Sequence, residues 1–156
     1  MKTILAPVDF SPASRRVLTE AVSLANTLRA RLVLLHVVTP PVITSEYGVM
    51  LANIVELTAE LEKGAARHLA RLEKALAPRV PATGRACLLG SPTALITEHA
   101  KKISASYIVL GSHGHTAFYD LLVGSTTAGV LKHAPCPVVV VPPAAKAKIR
   151  PTKAKN

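Results

Sequence analysis

Residues 107–126 read YIVLGSHGHTAFYDLLVGST. The first four, Tyr107-Ile108-Val109-Leu110, have the length and apolar content of a buried strand, and Gly111 ends the run. Gly114 and then Gly124-Ser125-Thr126 complete the spacing G-x2-G-x9-G-S-T. Glycine admits positive φ and removes the Cβ that would hold a ligand away from the main chain. A glycine-rich loop that leaves a strand and ends in Gly-Ser-Thr at a helix start gathers backbone N–H groups and hydroxyls in one place. That chemistry suits an anion, above all a phosphate. The same glycines also serve a plain strand-to-helix turn, and spacing alone leaves both uses open.

Working outward, the chain alternates apolar runs with helical periodicity. Thr3–Asp9 reads as a first strand, with Pro7 near its end because proline cannot donate to a ladder. Ser11-Pro12 predicts a helix start, Ser11 as cap and Pro12 at the first helical position. Val17, Ala21, Leu24 and Leu28 give that helix its apolar face. Arg31–Val38 is a second buried strand, stopped by Pro40-Pro41. From about Ser45 to Ala77, a long amphipathic helix is predicted from Met50, Ile54, Leu57, Leu61, Ala65, Leu69, Leu72 and Leu76, with Gly64 as a weak point. Thr83–Leu89 is a weaker third strand ending at Gly90. Ser91-Pro92 starts a helix with Leu95, His99 and Ile103 on its apolar face and Ala100 beside it. After the fourth strand and the glycine loop, a helix spans Ser125–His133 and a fifth strand spans Cys136–Pro143.

Five strands separated by helices in one chain of 156 residues predict a single α/β domain with a doubly wound parallel sheet. Aromatics make up only 3% of the residues, so the core falls to Val, Leu, Ile and Ala, as in sheets covered on both faces. Ligands of such sheets bind beyond the carboxyl ends of the strands, where the winding reverses. If the first and fourth strands flank that point, Asp9 and Gly111 face each other across one crevice.

Asp9 is then an acceptor for a ribose or a base, or else the cap of the helix that follows it. Ser125 has the same two readings, phosphate ligand and helix cap. His113 and His115 suggest polar lining of a phosphate pocket more than a metal site, because no third ligand lies nearby in sequence. Asp120 reads as a surface acid, with a role at Mg²⁺ as the alternative. His99 reads as a packed helix residue. The sequence has no G-x-x-x-x-G-K-[ST], no G-x-G-x-x-G after the first strand and no G-x-S-x-G. These absences speak against a P-loop NTPase, a dinucleotide-binding domain and an α/β-hydrolase, and nothing in the sequence demonstrates catalysis.

Cys87 and Cys136 form no C-x-x-C and read as small buried hydrophobes. No apolar run approaches the roughly 20 residues that span a bilayer, and Met1–Ile4 leads straight into a strand without a leader pattern, so a cytoplasmic protein is expected. The net charge is +10, and half of it lies in residues 144–156, which hold Lys146, Lys148, Arg150, Lys153 and Lys155 and no acid. That segment reads as a basic, flexible tail after a domain spanning 1–143. Without interleaved aromatics it is a poor platform for specific nucleic-acid binding.

Three stretches together resemble the universal stress protein family: Ile4-Leu5-Ala6-Pro7-Val8-Asp9-Phe10-Ser11, the G-x2-G-x9-G-S-T motif, and His133-Ala134-Pro135-Cys136-Pro137 followed by Val138–Val141. The similarity covers about residues 2–142. It implies a three-layer sandwich whose five-stranded parallel sheet runs in the order 3-2-1-4-5 with helices on both faces. It implies the ATP-binding branch of the family, with Mg²⁺ as a companion ion. Ala6, Pro7, Asp9 and Val38 would then serve the nucleoside, and Gly111, His113, Gly114, Gly124, Ser125 and Thr126 the phosphates. His113 and His115 stand where Arg or Lys is frequent in the family, which points to weaker or pH-sensitive phosphate affinity. The resemblance also implies a homodimer paired through Val138–Val141, whose apolar edge needs cover. The expected function is a nucleotide-dependent stress-response or signalling protein. The alternatives are an interaction protein with a vestigial pocket and a slow ATP hydrolase.

Overall fold

A computed structural model describes residues 1–40, 51–112 and 123–143, with the side chains of residues 51–53 excepted. In chain order the elements are β1 (Thr3–Pro7), α1 (Ser14–Leu28), β2 (Arg31–Val38), α2 (Leu51–Leu76), β3 (Ala82–Leu89), α3 (Pro92–Lys102), β4 (Tyr107–Gly111), α4 (Ser125–His133) and β5 (Val138–Val141). The strands form one parallel sheet in the order β3-β2-β1-β4-β5, as expected.

Side chains alternate between the two faces of a strand, and the core divides accordingly. Ile4, Ala6, Leu32, Leu34 and Val109 meet α1 and α2 on one face. Leu5, Val33, Leu35, Ile108 and Leu110 meet α3 and α4 on the other, where Ile96, Ala100 and Val130 close the layer. The inner strands are buried on both sides, which is why they read as unbroken aliphatic runs.

Three helix details differ from the sequence expectation. Helix α1 starts at Ser14, not at Ser11-Pro12, and Ala13 stands at its N-cap without a side-chain cap bond. The Asp9 carboxylate takes the Ser11 amide instead, and residues 11–16 enter the helix through three successive i→i+3 bonds, Ser14 to Ser11, Arg15 to Pro12 and Arg16 to Ala13. On α3 the buried residues are Ile96 and Ala100, one position round from Leu95 and His99, because that stripe faces Val130 and Leu110. On α2 the apolar face holds through Ala65, Leu69 and Leu76, whereas Leu57 and Leu61 are 49% and 45% exposed and Thr58 takes the buried place. Gly64 does not interrupt that helix.

Pairing on the two sides of β1 is unequal. Toward β2 it runs from Thr3↔Arg31 to Pro7↔Leu35 and continues through the Val8 N–H to the Leu35 carbonyl at 2.8 Å. Toward β4 it stops at Leu5↔Ile108. Successive residues turn their main-chain groups to opposite neighbours. With Val8 facing β2, Pro7 faces β4 and has no N–H to give. The carboxyl ends of β1 and β4 therefore part.

Candidate functional site

A cavity of about 330 Å³ opens at that parting, within the range of small-molecule sites. Pro7, Val8 and Asp9 leave β1 along one wall, and Ser11, Ala13, Ser14 and Val17 add the approach to α1. His36, Val37 and Thr39 come from the end of β2, and Pro92 and Ile96 from α3. Leu110, Gly111 and Gly124–Thr127 supply the opposite wall from β4 and α4.

Of the residues expected for the nucleoside, Pro7 and Asp9 line this cavity. Ala6 does not: its side chain is fully buried in the layer under α1 and α2. Val38 does not either. It is buried, and its carbonyl accepts the Gly90 N–H at 2.9 Å, so Val37 and Thr39 on either side form the wall in its place. Of the residues expected for phosphate, Gly111, Gly124, Ser125 and Thr126 share the cavity. His113 and Gly114, with His115 and Asp120, lie outside the described residues.

The wall at Gly111 and Gly124 is built by tying the end of β4 to the start of α4. The Ser112 N–H donates to Val141 at 2.9 Å, the Ser112 carbonyl accepts from Gly124 at 2.7 Å, and the Thr127 hydroxyl donates to the Gly111 carbonyl at 2.7 Å. Thr127 is buried, so this last bond is shielded from water. The first intrahelical bond of α4 is from Ala128 to Gly124. The amides of Ser125, Thr126 and Thr127 come before it, at the positive end of a nine-residue helix with no acid in its first turn. Gly124 has φ −69° and ψ 160°, extended backbone that any residue adopts. The backbone conformation alone therefore does not require glycine at this position.

The Asp9 side is also built. Its Oδ1 accepts from the Ser11 N–H at 3.0 Å and from the Ser14 hydroxyl at 2.8 Å. Fixing the turn that leads into α1 and a place on the cavity wall thus fall to one residue. The His36 Nδ1 lies 2.7 Å from the Val8 carbonyl, which can only accept, so Nδ1 carries the proton. Ser11, Ser14, His36, Thr39 and Thr127 were not singled out for the cavity from sequence. The pattern S-P-A-S after Asp9 was the available signal for Ser14, and nothing local marks His36 or Thr127.

Among the described residues, no three His, Cys, Asp or Glu side chains converge as a metal site. Elsewhere, burial, with the charge of Lys102, holds His99 below its usual imidazole range. Burial, with Glu62 adding, pushes up the Cys87 thiol, and burial alone raises that of Cys136. Both thiols are half-buried and free.

Comparison with known proteins agrees with this geometry. The family model described as Universal stress protein family matches residues 1–142. Universal stress protein A homolog 1 of Coxiella burnetii is 32% identical over 142 residues, covering 90% of this chain and 95% of that protein. The solved structure of universal stress protein UspA from Lactobacillus plantarum superposes with a TM-score of 0.80 at 31% identity, covering 90% of this chain and 97% of that one. At 20% identity, two further structures share the fold. One is a universal stress protein in complex with cAMP (TM-score 0.60, covering 90% and 95% of the two chains), the other that of Archaeoglobus fulgidus in complex with dAMP (TM-score 0.62, covering 90% and 97%).

Proposed function

The chain belongs to the universal stress protein family, and on that premise we propose that it is an adenine-nucleotide-binding member, with ATP as its ligand, acting in stress response or signalling. The observation that carries this reading is the convergence of Asp9 with Gly111, Gly124, Ser125 and Thr126 on one cavity of nucleoside size. The cavity is polar at two ends of opposite character. A carboxylate attracts donors and repels phosphate, so base and ribose belong on the side of Asp9, Val37 and Thr39. Amides at a helix N-terminus attract anions, so the phosphates belong against Ser125 and Thr126, with Gly114 and His113 of the same motif completing the loop. Nucleotides in two structures of the same fold support the ligand class. Mg²⁺ would travel with the phosphates, coordinated by their oxygens, water and the hydroxyls of Ser125 and Thr126, because Asp9 is already bonded to Ser11 and Ser14.

We assign the remaining surfaces in the same spirit. Among the described residues, strand β5 pairs with β4 on one side only, and Val139 is 37% exposed at that edge. A second copy pairing along Val138–Val141 would cover it and give a homodimer. A cytoplasmic location, and a domain of residues 1–143 followed by a basic tail of 144–156, complete the reading. Among the described residues, no helix is long and apolar enough to cross a membrane.

Calorimetric titration with ATP and Mg²⁺ tests the proposal. Saturable heat is expected, and it should disappear in the double variant Gly114→Val, Gly124→Val. No heat at millimolar ATP, or full binding by the double variant, refutes it. One observation favours a second reading, an interaction protein with a vestigial pocket: the bonds from Asp9 to Ser11 and Ser14 already give that residue a structural use. Denaturing freshly purified protein and identifying the released nucleotide by chromatography separates the two. A slow hydrolase would in addition release inorganic phosphate above background, and lose that activity with the pocket substitutions.

A further inference from the structure

Two adjacent residues on the loop between β1 and α1 are held in unfavourable states. Phe10 has φ +60°, in the left-handed region that a bulky side chain rarely adopts. Ser11 is 93% buried, and its hydroxyl has no hydrogen-bond partner among the described residues. Such features persist only where the surroundings over-determine them. Phe10 packs against the core between the sheet, α1 and α2, and two imidazoles flank its ring. The ring of Phe10 stacks on His36 with centroids 4.2 Å apart and planes 22° apart, and on His68 with centroids 4.2 Å apart and planes 6° apart. His36 comes from β2 and is fixed by its bond to the Val8 carbonyl. His68 comes from α2, between Ala65 and the fully buried Leu69 that seat the helix on the sheet. It is not part of the cavity wall.

We propose that His68 is a positioning residue for the nucleotide site, acting through Phe10. Clamped between His68 and His36, the phenyl ring keeps residue 10 left-handed. That turn sets Asp9, Ser11 and Ser14 on the wall of the cavity. Without the outer ring of the stack, residue 10 relaxes toward negative φ and the Asp9 carboxylate leaves its place against the Ser11 amide. This rests on the nucleotide reading above and extends it to a residue on a helix that the ligand does not touch. The requirement is for a flat ring, not for a base or a charge, so phenylalanine at position 68 is expected to substitute for histidine.

The experiment compares ATP titration of the wild type, His68→Ala and His68→Phe, alongside urea unfolding and amide hydrogen exchange of residues 9–16 without nucleotide. A lost ring stack corresponds to about two- to tenfold in an equilibrium constant. His68→Ala is expected to weaken ATP by that factor and to speed exchange at the Ser11 amide, and His68→Phe to restore both. Restoration of affinity and Ser11 exchange in His68→Phe carries the proposal when the urea midpoint of His68→Ala falls by no more than the lost stack accounts for; a larger fall, with exchange faster throughout the chain, is a general loss of stability and overturns it. Unchanged affinity and exchange in His68→Ala overturn it, as does an equal loss in His68→Phe. If the wild type itself binds no nucleotide, the proposed function fails, and the exchange data decide this inference alone. Faster exchange in His68→Ala, rescued in His68→Phe, upholds the positioning role, and unchanged exchange overturns it.

Discussion

Replacing Asp9 separates its duty to the fold from its duty to a ligand. In Asp9→Ala the Ser11 amide and the Ser14 hydroxyl lose the oxygen they share, at 3.0 and 2.8 Å. Ser14 is only 7% exposed, so its hydroxyl has poor access to bulk water. A hydrogen bond to a charged acceptor contributes about 1.5–3 kcal/mol net, and a typical neutral one about 1 kcal/mol. The losses of the two bonds overlap here, since both end on Oδ1. Water entering the neighbouring cavity offsets a further part, and the expected net loss is about 2–3 kcal/mol. With a urea slope of about 2 kcal/mol per molar, that lowers the midpoint by about 1–1.5 M. Asp9→Asn keeps a carbonyl oxygen for Ser11 and Ser14 and gives up the charge, so about 1 kcal/mol, or half a molar, is expected. ATP titration of the same two proteins then reads the ligand side, where Asn also keeps an acceptor and Ala does not. Equal midpoints for Ala and Asn, or an Ala midpoint indistinguishable from wild type, would refute the assignment of Oδ1 as the post that holds the Ser11–Ser14 turn.

Three further outcomes follow from packing, burial and the open edge. In Gly129→Ala an added Cβ would stand 2.7 Å from Thr93 Cγ2 and 2.8 Å from its Oγ1, where α3 meets α4. Overpacking of about 1–3 kcal/mol should outweigh the helix-propensity gain of about 1 kcal/mol and lower the melting temperature by a few degrees, with Thr93→Ser in the same chain restoring most of it. His99 has a folded pKa below its ordinary 6.5, so as pH falls the unfolded chain binds its proton first. The stability contributed by its neutral form is complete above that value and drains as pH falls through the window below it, and His99→Gln should flatten the midpoint-against-pH curve there. Val139→Arg places a charge on the edge of β5, and sedimentation should show loss of self-association with an unchanged circular dichroism spectrum.

The parts of the fold legible in the sequence are those where burial leaves no choice. Arg31–Val38 is lined on both faces, so its interior is apolar but for His36 and the strand is found residue for residue. Helix α3 was harder. Leu95, Ile96, His99, Ala100 and Ile103 form two adjoining stripes that helical spacing treats alike, and only the side of the sheet on which Val130 and Leu110 lie selects Ile96 and Ala100. The start of α1 was misplaced because Ser-Pro is a good local signal. Asp9 overrides it from two residues upstream by taking the Ser11 amide into its own turn. On α2, Leu57 and Leu61 fit a helical period and yet stay half exposed, since an apolar residue obeys the period without being obliged to find a partner.

The same contrast holds in the cavity. Gly111 and Gly124-Ser125-Thr126 are legible as cavity-lining residues because their glycine spacing marks the turn from β4 to α4 in residue type. Val38 is separated from the wall by a contact that sequence does not show: its carbonyl takes the Gly90 N–H after β3, while His36, Val37 and Thr39 around it reach the cavity. Phe10 could not have been found. Phenylalanine has no preference for positive φ, and the rings it stacks on lie 26 residues downstream on β2 and 58 residues downstream on α2. Gly124 shows the reverse. Its dihedral angles are open to any residue, so the chain does not need glycine there in order to turn. Close approach of a ligand to the first-turn amides of α4, as the proposed nucleotide site requires, would give this glycine a use that the path of the backbone does not.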